Sequence, residues 1–394
     1  MKHYDIIING GGMVGATLAC LLAKQSLKVA VIEAFETTPF SPEDDHDLRV
    51  SAISRASQNA FIKAGAWDAI LSMRATPYEA MDVWDSEGEG NVRFEAADLG
   101  EPDLGHIIEN KVIQLALNNT LEKLDTVTLY QPNKLQDFAV SNQVIDSKDK
   151  VIVTLDSGDQ ISATLLIGAD GANSQVRKLA GIDFEQDDYG QSGLVAVIKT
   201  EKPHEFTAWQ RFQPTGPLAF LPLSDGSSSI VWTLPADRAD YYLALNKTDF
   251  KMALAEAFDF KLGKITKVGK RAAFPLKGSQ ASSLIAERVA LVGDAAHTIH
   301  PLAGQGVNLG IKDAVELATQ LSTASTDLGS HKLLRRYERA RRGDNLITMR
   351  AMEGFRLLFG HSASSVISAR NFGMTLFNQI PTIKNEVIRK AMGL

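Results

Sequence analysis

A single cysteine, Cys20, occurs in 394 residues. One thiol cannot close an intramolecular disulfide, so the fold must rest on buried apolar surface, and a reducing compartment is its natural setting. Cys20 lies in an apolar helical stretch, where packing is expected rather than redox chemistry. A basic excess is missing too: 41 Lys and Arg against 47 Asp and Glu give a formal charge of −6. That balance argues against nucleic acid as a partner, because nucleic-acid-binding domains concentrate basic surface. No apolar run reaches the roughly 18 residues of a membrane span. Met1-Lys2-His3-Tyr4-Asp5 passes directly into a β-rich run and a glycine turn, which leaves no room for a signal peptide. A cytoplasmic protein is expected, resting at most on a membrane surface. His297 and His300 are too few to argue for a metal site and read as packing or hydrogen-bonding residues.

A chain of this length, 44% apolar, suggests two domains with ample core. The informative residues are three glycine-bearing segments. In the first, Tyr4 to Ile8 reads as a strand, Gly10-Gly11-Gly12-Met13-Val14-Gly15 as a turn, and Ala16 to Ala23 as a helix. In that order Gly10 permits the turn, Gly12 lets a pyrophosphate approach, and Gly15 lets helix and strand pack closely. The helix N-terminus offers unpaired N–H groups to the phosphates. A second strand, Lys28 to Ile32, ends at Glu33, placed to accept from ribose hydroxyls. This segment separates neither NAD from FAD.

The second segment follows the apolar run Thr164 to Ile167 and contains Gly168-Ala169-Asp170-Gly171. By itself it equally fits an ordinary Asp-Gly turn. The third follows Val289 to Val292 with Gly293-Asp294, then Pro301-Leu302-Ala303-Gly304-Gln305-Gly306-Val307-Asn308 and a helix over Leu309 to Leu321. Asp294 can hydrogen-bond a polyol chain, which FAD has in its ribityl group and NAD lacks. The helix start can face the negative charge of a reduced flavin.

Between Ile182 and Pro275 the pattern turns β-rich, with runs at Leu194 to Ile198, Thr207 to Phe212, Leu218 to Leu221 and Ile230 to Leu234 and a helix near Lys251 to Phe260. A mostly antiparallel sheet is expected there. Phe212, Phe220, Pro222 and Trp232 are candidates to line an apolar substrate pocket, although aromatics in strands are core more often than not. Lys332, Arg335, Arg336, Arg339, Arg341 and Arg342 read as a solvated helix face, with binding of anionic headgroups as the alternative. The apolar helical segment after them, including Phe355, Phe359, Phe372 and Phe377, could close the pocket or meet a partner.

These three fingerprints in this order resemble the FAD-dependent aromatic hydroxylases of the para-hydroxybenzoate hydroxylase type, over nearly the whole chain. Leu48-Arg49-Val50-Ser51-Ala52 resembles the family's segment beside the flavin, which makes Arg49 a flavin contact. His300 to Gly310 with Asp313, Gly105 to Asn110, Met81 to Asp85 and Ile388 to Leu394 are similar to the ubiquinone-biosynthesis hydroxylases. The chain departs from the family at Gln114, where many members carry arginine; the amide can still donate to FAD.

The resemblance implies an α/β fold, α+β overall: a Rossmann-like FAD-binding domain in two parts, 1–181 and 276–340, an inserted antiparallel β-sheet substrate domain, 182–275, and a C-terminal helical segment, 341–394. It implies cofactor contacts from Gly10, Gly12, Gly15, Glu33, Arg49, Gln114, Asp170, Gly171, Asp294, Pro301, Gly304, Gly306, Val307 and Asn308. The implied activity is hydroxylation of a 2-polyprenylphenol ring, with O2 and with NADH or NADPH as a transient electron donor, since there is no second nucleotide fingerprint. It also implies a place beside other ubiquinone-biosynthesis proteins, peripheral to the inner membrane. A later polyprenyl-methoxy-benzoquinol substrate and a non-catalytic flavin-holding scaffold remain open alternatives. A flavin-dependent halogenase is disfavoured because Val231-Trp232-Thr233-Leu234-Pro235 is the nearest approach to that group's WxWxIP motif.

Overall fold

The structure is a computed structural model that describes residues 1–141, 150–298, 305–324 and 327–394. Pro301, Gly304 and His300 lie outside the described residues.

The first sheet has eight strands, with the order Ile285–Ala286, Val289–Leu291, Gln160–Gly168, Lys2–Asn9, Val29–Ile32, Val127–Tyr130 along its main path. From Val289–Leu291 to Val127–Tyr130 every pairing is parallel. Such strands are covered on both faces, which is why they read as unbroken apolar runs: Ile6, Ile7 and Ile8 are all fully buried. Helix Met13–Ala23 packs between helices Gln305–Ser322 and Asn110–Leu121 on this sheet. Register then aligns the strand ends. Asn9 pairs with both Ile32 and Gly168, and Gly168 with Leu291. Four neighbouring strands thus end at one level, and Gly10, Glu33, Ala169 and the Gly293 turn all leave from the same edge. In open α/β sheets this carboxyl edge is where ligands bind.

The second sheet also has eight strands: His297–Thr298, Ile265–Ala281, Phe184–Thr200, Ser228–Pro235, Leu218–Pro222, Thr207–Phe212, Ala80–Asp85 and Asn91–Glu95, in that order. All described neighbours are antiparallel except Thr207–Phe212 with Ala80–Asp85, which run parallel. The sheet therefore takes in a hairpin from well before residue 182, the expected start of this region. That hairpin pairs with Thr207–Phe212, a strand edge that would otherwise be open. One face of the sheet carries a second core beneath helices Ala236–Ala244 and Lys247–Ala257, where Phe220 stacks on Phe258 at 3.6 Å between ring centroids and Trp232 lies 4.4 Å from Tyr242.

A small third sheet joins Val50–Ile53, Gly105–Glu109 and Thr76–Tyr78. At the C-terminus, helix His331–Gly360 runs unbroken for 30 residues across the expected 340/341 boundary. Its basic stretch is not wholly solvated. Arg341 is buried and its Nε donates to Asp313 at 2.8 Å, because Tyr337, Arg341 and Asn345 share the inward face. The following helices, Ser364–Asn378 and Pro381–Met392, are tied to the early hairpin, the first through buried Arg370, which meets the Asp85 carboxylate at 2.6 Å and donates to the Leu358 carbonyl, the second through Lys384, which donates to the Arg93 carbonyl at 2.9 Å.

Candidate active site

The three glycines of the first turn do three different jobs. Gly10 has φ +107°, a region L side chains rarely adopt, and a Cβ there would strike the Ala169 backbone. At Gly15 a Cβ would collide with the Gly10 carbonyl, so glycine is needed for helix and turn to close up. A Cβ on Gly12 would meet nothing within 4 Å. Gly12 caps helix Met13–Ala23 with no side-chain hydrogen bond, and with Met13 and Val14 it lines an open cavity. Free N–H groups at a helix start facing open space fit a pyrophosphate.

Glu33 bridges the turn, its two oxygens accepting from the N–H of Gly11 (2.8 Å) and of Phe35 (3.0 Å). Gln114 donates to the Gly11 carbonyl and, at 2.9 Å, to Asn118 Oδ1, so it braces the turn from behind. Asp170 is spent on protein groups, accepting from Asn9 Nδ2 (2.9 Å), Ser174 Oγ (2.5 Å) and the Gln175 N–H (2.7 Å). Neither Gln114 nor Asp170 lines the cavity, whereas Ala169, Gly171 and Ala172 do.

Asp294 lines the cavity and is exposed to it. Loss of bulk water raises its pKa, outweighing the lowering by nearby His297 and Arg49. The Gly293-Asp294 turn is held from behind by Asp313, fully buried on helix Gln305–Ser322. Asp313 accepts from the Gly293 N–H at 3.0 Å, from His297 Nε2 at 2.6 Å and from Arg341 Nε at 2.8 Å. Burial by itself would raise the Asp313 carboxyl, but His297 and Arg341 hold it below the ordinary range. The same contact lifts His297 above its ordinary value against the effect of burial.

The cavity measures about 670 Å³. Its FAD-domain side is made by Gly12 to Val14, by Leu48 to Ala52 in full, and by Asp294, Gly306 and Val307. Asn308 does not reach it: its amide donates to the Ala52 carbonyl at 2.8 Å and accepts the Ser54 N–H at 3.0 Å, which fastens the wall that Ser51 and Ala52 form. The opposite side is the second sheet, and here the expected pocket residues are corrected. Phe220 and Trp232 point into the second core, and Ala219, Leu221, Val231 and Thr233 line the cavity in their place. Strand side chains alternate, so placing one residue on one face excludes its neighbour from it. Pro222 shares the parity of Phe220 and stays out of the cavity wall, while Phe212 stacks on Phe359 of the C-terminal helices at 3.9 Å.

A third side combines Tyr78, Met81, Leu104 and Ile107 with Ile388, Ala391 and Met392 of the last helix. Burial pushes the Tyr78 phenol up to about 12, so it stays protonated at neutral pH. Gln210 and Tyr78 carry no local motif that would have marked them. The period-2 alternation over 218–235 does contain the parity, but not which face looks at the cavity.

A family of FAD binding domains matches residues 3–348. The chain is 39% identical to the 3-demethoxyubiquinol 3-hydroxylase of Escherichia coli, over 99% of this chain and 98% of that protein. It is 36% identical to the human mitochondrial ubiquinone biosynthesis monooxygenase COQ6, over 98% and 92% of the two chains. In fold it is similar to the p-nitrophenol 4-monooxygenase PnpA from Pseudomonas putida, with a TM-score of 0.77 at 19% identity, covering 99% and 98% of the chains. A matched family spanning most of the chain and relatives aligned from end to end agree with the three strand-end segments: the chain belongs to the FAD-binding hydroxylases of ubiquinone biosynthesis, and it is an FAD-dependent aromatic monooxygenase.

Proposed function

We propose that the protein hydroxylates the ring of a polyprenylated phenol or benzoquinol in ubiquinone biosynthesis, using O2 and electrons from NADH or NADPH. The observation that carries this reading is one cavity walled on one side by the Gly12 helix start and Asp294 and on the other by an apolar sheet face. FAD, when bound and reduced, supplies the oxygen chemistry. The chain's own groups bind and orient. The N–H groups at Gly12 to Val14 take the pyrophosphate, Glu33 the adenosine ribose, Asp294 the ribityl hydroxyls, and the start of helix Gln305–Ser322, at Gly306 and Val307, faces the ring. Arg49 adds positive charge beside that site, and the aliphatic wall of the second sheet excludes water.

Residues 1–181 with 276–340 act as the cofactor part and 182–275 as the substrate part, joined by the 80–95 hairpin. Of the two pathway positions, 2-polyprenylphenol and a later methoxylated benzoquinol, similarity to the Escherichia coli 3-demethoxyubiquinol 3-hydroxylase favours the later. Association with other ubiquinone-biosynthesis proteins at a membrane surface is supported by apolar side chains on the C-terminal helices, with Ile347 71% and Phe372 70% exposed.

Quinone-intermediate profiling by mass spectrometry in cells lacking the gene, with and without oxygen, tests the reading. Accumulation of a demethoxy benzoquinol places the step late, and accumulation of a polyprenylphenol places it early. An unchanged ubiquinone pool, in cells with no second hydroxylase for the step, would refute it.

A further inference from the structure

The sheet side of the cavity is built around a single row. Val195, Val231, Ala219 and Gln210 are direct neighbours across four strands, paired Val195 to Val231, Val231 to Ala219 and Ala219 to Gln210, and all four line the cavity. Three are aliphatic and together form a smooth platform. The fourth ends that platform in a carboxamide.

Gln210 is 9% exposed, and among the described residues its carboxamide has no hydrogen-bond partner. Side chains beside it in the chain bond elsewhere. Trp209 Nε1 donates to the His204 carbonyl at 3.1 Å, while Arg211 Nη1 and Gln213 Nε2 donate to the Ala257 carbonyl at 2.9 and 2.5 Å. The amide keeps accessible surface, and a polar group so nearly enclosed in a folded protein usually has a partner. The cavity that Gln210 lines offers this amide a partner.

We propose that Gln210 recognises an oxygen on the ring of the substrate, with the ring lying on the Val195–Val231–Ala219 platform. This rests on the aromatic-hydroxylase reading given above. Oε1 accepts from a ring hydroxyl, and Nε2 donates to a ring oxygen that has lost its proton or is a carbonyl. An amide does either without changing charge, so Gln210 orients the ring without ionising it. A site built to bond a hydroxyl rejects a ligand that lacks it, because its own polar group is then left unpaired.

The test uses FAD-loaded protein and two probes, a short-chain 2-prenylphenol and the prenylbenzene that lacks the ring hydroxyl, with binding read from the flavin absorbance spectrum. Wild type binds the phenol about tenfold more tightly, as expected for one hydrogen bond. Gln210→Met, which keeps length and stem, binds both probes equally at the prenylbenzene level with unchanged FAD content; Gln210→Leu repeats the measurement should the first variant fold poorly. A folded variant that still prefers the phenol overturns the assignment of Gln210 alone. Wild type that binds neither probe overturns the polyprenylphenol side of the proposed function, and the inference with it.

Discussion

Gly12 and Gly15 stand three residues apart in one turn, yet their alanine variants should move stability in opposite directions. Gly12 has φ −62° and ψ 177°, which alanine adopts freely, and its added methyl would meet nothing within 4 Å. Gly12→Ala should therefore stabilise the flavin-free protein by about 0.4–1 kcal/mol, by restricting the unfolded chain. The same methyl enters the space in front of the helix start. Displacing one hydrogen bond to a charged phosphate costs about 1.5–3 kcal/mol, or a tenfold or greater loss of FAD affinity, and Gly12→Val should lose more. At Gly15 the new carbon would collide with the Gly10 carbonyl and come within 3.0 Å of Ala169 Cβ. Both obstacles are fixed by backbone, so Gly15→Ala should lose about 1–3 kcal/mol as an overpacked site does. Thermal unfolding of the flavin-free proteins measures the first quantity, and titration of FAD by fluorescence quenching the second. Gly12→Ala with an unchanged Kd for FAD would refute the placement of the pyrophosphate.

Asp294→Ala should fold, carry little flavin, and change the pH dependence of the flavin-free protein. Because desolvation by the surrounding protein raises the Asp294 pKa in the folded state, its contribution to stability is fully present below the unfolded carboxylate range and is lost as pH rises through the folded value. Without flavin the variant should accordingly match or exceed wild type in stability at neutral pH, with its advantage shrinking on acidification, as urea titrations across pH would show; a normally flavinated variant would count against the assignment. On the second sheet, Phe220→Ala should cost about 3–5 kcal/mol by emptying the second core while leaving ligand binding to the folded protein intact. Ala219→Phe should abolish turnover by filling the cavity and keep the FAD content normal. A Phe220→Ala protein of wild-type stability with altered substrate preference would restore Phe220 to the pocket.

The cofactor half of the site was legible because its signals are local. A strand, a glycine turn and a helix follow one another within about two dozen residues of chain, and the roles of Gly10, Gly12 and Gly15 can be argued from backbone geometry before any tertiary contact is known. The substrate half was not. Leu218–Pro222 is apolar on both faces, so alternation there specifies two sets of side chains without ranking them. The choice is made by helices Ala236–Ala244 and Lys247–Ala257, which cover one face and bury Phe220 and Trp232 there. Asp170, Gln114 and Asn308 carry polar groups suited to a cofactor, and long-range packing commits those groups to the protein instead.

What the sequence determined by itself is the set of strand-to-turn transitions and the residues that must be glycine there, since φ, ψ and close approach are properties of a few adjacent residues. The tertiary structure alone decided that those turns open at one level, that the 80–95 hairpin completes the second sheet, that Arg341 lies inside behind Asp294, and that the last helix walls the cavity. Each of these depends on strand register and on contacts between residues far apart in the chain, and no short-range periodicity carries that information.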